Sequence, residues 1–109
     1  MKSKTKTTKE NVENKVVIIT TEGCEACNIM SRIMRRVREN TPYAFIIEEY
    51  DFKDKNLLEK YPHIMTDIKV TDFPTVVLLR GVDNIISYNW SGTISVSEVK
   101  SIFNDINFI

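Results

Sequence analysis

The chain of 109 residues contains two cysteines, Cys24 and Cys27, and only two residues separate them. Such a pair serves either as half of a metal site or as a dithiol that cycles with a disulfide. Zinc requires about four ligands, and the only other soft candidate is His63, so no metal centre is expected within one chain. Position favours redox chemistry. The pair directly follows the β-branched run Val16, Val17, Ile18, Ile19 and opens a segment with helical periodicity. At a helix start, unpaired backbone N–H groups and the positive end of the macrodipole stabilise a thiolate, which makes Cys24 the expected nucleophile. One turn later Cys27 falls on the same side, within the apolar stripe, and is expected to resolve mixed disulfides. A structural disulfide and a pair of inert buried thiols are the duller readings. The first is disfavoured in a reducing compartment and the second by the helix-start position.

The surrounding pattern describes what must hold these sulfurs. The run ending in Thr20 and Thr21 has no polar alternation and suits a central strand covered on both faces. Over residues 24–40, Cys27, Met30, Met34 and Val37 recur at steps of three and four with arginines on the remaining faces, predicting an amphipathic helix stopped by Asn40, Thr41 and Pro42. A second strand is expected from Tyr43 through Ile47 and on to Asp51. Leu57, Leu58, Tyr61, Ile64, Met65 and Ile68 keep helical spacing, but Pro62 should split them into two short pieces. Residues 75–80 read as a buried strand. Gly81, Val82, Asp83 and Asn84 supply a turn into a strand over 85–90, whose alternation leaves one face less buried. Ser95 and Glu98 form a capping-box pattern ahead of the stripe Val96, Val99, Phe103, Ile106. The order β, α, β, α, β, β, α predicts an α/β fold: a four-stranded mixed sheet flanked by helices on both faces. Two parallel pairs would be joined by helical crossovers and the last pair by a hairpin.

Composition is consistent with a single soluble domain. Hydrophobic residues make up 42% and charged residues 28%, with 15 basic against 15 acidic groups, and a chain of this length buries enough surface for an ordinary core. The absence of a basic surplus argues against nucleic-acid binding. No apolar run approaches the roughly 18 to 20 residues of a membrane span, and no signal-peptide pattern precedes Val16, so a cytoplasmic location is expected. Residues 1–14 are polar and lysine-rich and read as a disordered arm preceding the domain at 15–109.

With these elements in place the sequence resembles the thioredoxin family. The likeness is carried by VVIIT leading into Cys24-Glu25-Ala26-Cys27, by YDFKDKNLLEKY over residues 50–61, by IKVTDFPTVVLL over 68–79, and by Ser91-Gly92 before the last helix. It covers about residues 15–107, interrupted by an extra half-dozen residues around 62–67. The resemblance implies a cis Phe73–Pro74 bond beside the cysteine pair, in a substrate groove to which Gly23, Phe73, Pro74 and Gly92 contribute. It also implies a protein-disulfide reductase working as a monomer, whose partners are protein disulfides and a recharging reductase. No cofactor is expected beyond the dithiol itself, with glutathione as a candidate reductant.

The departures are specific. Gly23 stands where the family has tryptophan, Glu25-Ala26 replaces Gly-Pro, and Arg32 replaces a mid-helix proline. Ile18 occupies the place of the buried acid that assists the second cysteine. Glu22 and Glu25 flank the nucleophile, and their charge opposes thiolate formation. The short arm points to the minimal form of the fold found in glutaredoxins. Two alternatives follow: a glutathione-dependent, glutaredoxin-like enzyme, and a non-enzymatic binding module whose Phe73 groove holds a peptide.

Overall fold

A computed structural model describes residues 13–40 and 45–109. Most of the predicted arm, and the expected start of the second strand at Tyr43, lie outside the described residues. The elements are β1 (Lys15–Thr20), α1 (Glu25–Asn40), β2 (Ile46–Asp51), α2 (Lys55–Lys60), α3 (Pro62–Asp67), β3 (Thr75–Arg80), β4 (Ile85–Ser91) and α4 (Val96–Asp105). The sheet order is β2-β1-β3-β4. Among the described residues no helix is long and apolar enough to cross a membrane.

The unbroken apolar runs of β1 and β3 are explained by their central places. Val16 and Ile18 enter one core with Met30 and Met34 of α1 and Val99 and Phe103 of α4. Val17 and Ile19 enter a second core with Leu57 of α2, Tyr61 between the helices and Ile64 of α3. Side chains alternate across a strand, so a strand covered by helices on both faces needs an apolar residue at every position. The edge strand β2 carries Glu48 and Glu49 instead.

One expectation is corrected. Only β1 and β2 run parallel, whereas β3 is antiparallel to β1 as well as to β4. The cause lies in the broken crossover. α2 brings the chain to His63, whose ring meets Asn84 at the far end of the sheet, and Pro62 breaks the helix there, so that α3 and the segment after it run back. The chain therefore returns to the end it left, pairing Thr75 with Ile19. The extra segment at 62–67 is α3 itself, with Pro62 in its first turn.

Local signals elsewhere are realised. Ser95 Oγ accepts from the Glu98 N–H at 3.2 Å while Ser95 N–H donates to Glu98 Oε1 at 2.9 Å, closing the capping box. Asn14, placed in the arm by sequence, is instead a clamp. Its side-chain amide donates to the Phe108 carbonyl at 2.7 Å and its side-chain oxygen accepts from Gly81 N–H at 3.0 Å, so ordered chain begins before β1.

On the α2/α3 face, Glu48 accepts hydrogen bonds from Tyr50 at 2.7 Å and Tyr61 at 2.8 Å and pairs with Lys60 at 3.0 Å. Burial alone would raise the Glu48 pKa, but the bonds from Tyr50, Tyr61 and Lys60 outweigh it and hold the pKa below the ordinary 4.5. Burial, reinforced by the Glu48 carboxylate, pushes Tyr50 up to about 12 and Tyr61 further upward. The lowered carboxylate stabilises the fold above its unfolded pKa, and this contribution is lost as pH falls through the folded value. The raised phenols stabilise below pH 10 and lose that contribution as pH climbs towards 12. Urea unfolding across pH should therefore show wild type and Glu48→Gln furthest apart near neutrality and converging below pH 4.5. A gap independent of pH would contradict this assignment.

Candidate active site at the mouth of the first helix

After Thr20 the chain must reverse from strand to helix within a few residues. Gly23 makes the turn at φ 72°, with open space where a side chain would stand. Backbone conformation, not crowding, therefore accounts for glycine there. Cys24 sits just outside the first residue of α1, half-buried, and Cys27 is 3% exposed beneath it. The two form a disulfide, their Cα atoms 5.3 Å apart. The Cys27 backbone N–H donates to Cys24 Sγ at 3.0 Å. This is one of the free amides of the helix start, aimed at the sulfur that would carry negative charge after reduction.

The segments before β3 and after β4 connect to the turn between the cysteines by hydrogen bonds. The Phe73–Pro74 bond is cis and Pro74 is buried. Its carbonyl accepts from Gly92 N–H at 2.8 Å, where Gly92 takes φ 92°. The next residue, Thr93, donates its hydroxyl to the Ala26 carbonyl at 3.2 Å. Pro74, Gly92, Thr93 and the turn between the cysteines are thus tied in sequence by hydrogen bonds. Thr93 went unnoticed in the sequence because an isolated threonine ahead of a capping serine reads as loop.

Phe73 is turned away from this line of contacts. Its ring packs at 5.0 Å from that of Phe52 and belongs to the α2/α3 core. Trp90 packs against the other core, beside Tyr88 at 6.2 Å. His63 lies at the far end of the sheet, its Nε2 2.7 Å from the Asn84 carbonyl, where Lys15 also meets Asn84.

Ile18, in the family's acid position, is fully buried. Beside the disulfide is a hollow of about 310 Å³ between the end of β1 and the first turn of α1. Thr20 and Thr21 line one side, Cys27 and Asn28 another, and Glu49 of β2 faces in. Glu49 is ion-paired with Arg35 of α1 at 2.6 Å. Arg32, Arg36 and Arg38 lie on the exposed face expected of them.

Comparison with solved structures gives the fold. Desulfothioredoxin from Desulfovibrio vulgaris Hildenborough superimposes with a TM-score of 0.66 at 20% identity, covering 88% of this chain and 84% of that one. The fold is thioredoxin-like. Other thioredoxin-like neighbours include an uncharacterised protein from Clostridium perfringens, with a TM-score of 0.64 and 22% identity over 91% of this chain and 74% of that one. Malaria parasite thioredoxin-2, described as a component of the protein secretion machinery, has a TM-score of 0.65 and 17% identity over 84% of this chain and 82% of that one. No protein-family model and no curated protein matches the sequence. In this thioredoxin-like chain the paired sulfurs lie at the end of the parallel β1–β2 pair, where open α/β sheets commonly place their sites.

Proposed function

We propose that the protein is a cytoplasmic, monomeric thiol:disulfide oxidoreductase that reduces protein disulfides. The observation that carries this is the disulfide-linked Cys24–Cys27 pair at the start of α1, with a backbone amide on the outer sulfur and the inner one covered. In the reduced protein, the Cys24 thiolate attacks a substrate disulfide, one substrate sulfur leaves as thiolate, and a mixed disulfide forms. Cys27 then attacks Cys24 Sγ, the second substrate sulfur leaves, and two electrons have passed from the dithiol to the substrate. A reductase or glutathione restores the dithiol. Gly23, Pro74 and Gly92 form the surface beside the reactive sulfur. Pro74 has no N–H, so an extended substrate segment can lie against the backbone before β3 and pair with its remaining groups. Phe73 supports that segment from behind through Phe52.

The roles of the two sulfurs are tested by alkylating the reduced protein with iodoacetamide at pH 7 and locating the label by peptide mass. Exposure and the amide contact favour Cys24, so it should be modified about tenfold or more faster than Cys27. Equal rates, or a faster Cys27, would reverse the assignment.

A further inference from the structure

Resolution of a mixed disulfide requires Cys27 to lose its proton. Cys27 is 3% exposed, and Ile18, buried in the core on the α1 face of the sheet, cannot accept one. The parallel register sets Glu49 of β2 directly beside Ile18. Its side chain leaves the strand on the α1 face, where Arg35 holds it, and it faces the same hollow as Cys27. At about 310 Å³, that hollow has room for several waters, each taking roughly 30 Å³. A carboxylate on its wall can accept a proton through one of them without touching the sulfur.

Building on the dithiol cycle above, we infer that Glu49 is the proton acceptor for Cys27 during resolution, an acid supplied from the neighbouring strand instead of from β1. The proton passes from Cys27 Sγ through water to the Glu49 carboxylate. The Cys27 thiolate attacks Cys24 Sγ, the Cys24–Cys27 bond forms, and the bond to the substrate sulfur breaks with its electron pair leaving on that sulfur. The departing thiolate takes a proton from solvent as Glu49 returns one to it. Electrons and protons balance with no further reagent.

The charged groups around Glu49 come from α1, the turn before it and β2. Arg35 faces it from α1, Glu25 lies across the hollow at the first turn of the same helix, and Arg32 follows one turn beyond Asn28. Glu22 is exposed in the turn before Cys24, and Asp51, on the same face of β2, accepts from the Lys53 N–H at 2.9 Å. Of the two carboxylates on the hollow, Glu49 stands on the sheet beside Ile18 and Glu25 on the exposed helix start. The side chains of the Arg35–Glu49 pair are 59% and 34% exposed, and pairs of this kind contribute little to stability. Glu49→Gln should therefore fold normally.

The test mixes reduced protein with dithiobis(nitrobenzoate), which releases one coloured thiolate when Cys24 attacks and a second when Cys27 resolves. This leaving group needs no proton, so the second phase isolates deprotonation of Cys27. In Glu49→Gln the second phase should slow about a hundredfold at pH 6.5, the low end expected of a positioned base. It should rejoin wild type at pH 9.5, where a free thiol ionises unaided. Glu49→Asp should recover most of the rate, and Glu25→Gln should not reproduce the pH-dependent loss. A wild-type second phase in Glu49→Gln at pH 6.5, or slowing equal at both pH values, overturns the assignment. Loss of the first phase in wild type would instead overturn the dithiol cycle itself.

Discussion

Cys24→Ser is expected to reduce insulin in the presence of dithiothreitol no faster than dithiothreitol alone. The first bond to a substrate sulfur is made by a thiolate, and a serine hydroxyl does not ionise near neutrality or exchange with disulfides. The backbone amide that reaches Cys24 Sγ would remain in place with nothing reactive to stabilise. Cys27→Ser has a different signature: the first bond still forms but its intramolecular release is lost. Well-oriented intramolecular attack corresponds to effective concentrations far above any millimolar external thiol, so the mixed disulfide should persist at least about a hundredfold longer and be recoverable on non-reducing gels. Insulin reduction by Cys24→Ser at the wild-type rate would end the oxidoreductase reading. A thioredoxin-like binding module would then be the surviving alternative, recognisable by a partner retained after both cysteines are changed to alanine.

The second large effect concerns the scaffold. Phe103 of α4 is 1% exposed, meets Phe45 edge to face at 5.4 Å, and lies 5.0 Å from Phe108. This cluster joins α4, the approach to β2 and the end of the chain beneath one face of the sheet. Removing the ring leaves a cavity that neighbouring aromatics, themselves held by each other, cannot fill. Phe103→Ala should cost about 3 to 5 kcal/mol. At about 4 to 8 °C per kcal/mol for a domain near this size, thermal unfolding of the oxidised protein should fall by at least about 12 °C. A fall of only two or three degrees would show that the cluster relaxes around the loss.

Features written in local pattern were readable without coordinates: the two-faced burial of β1, the cysteine pair at the helix start, the break at Pro62 and the capping box at Ser95. Each depends on residues within a few positions of one another. Features that depend on where the chain returns in space were not. The direction of β3 follows from a crossover that runs down the sheet to His63 and back, and Glu49 gains meaning only once the register places it beside Ile18. The orientation of Phe73 was likewise undecided, because a hydrophobic residue before proline suits a groove as well as a core. Its ring meets that of Phe52 against the α2/α3 core and stays half-exposed. Asn14 was misplaced since one asparagine after a polar stretch carries no sign of the carbonyl and amide it bridges.

That asparagine also has a practical consequence. By bonding the Phe108 carbonyl it draws both ends of the described domain together at the sheet end opposite the sulfurs. An electrode or bead linker attached ahead of Asn14 or after Ile109 would leave the redox tip pointing outward, so the immobilised protein should still exchange electrons with large soluble substrates.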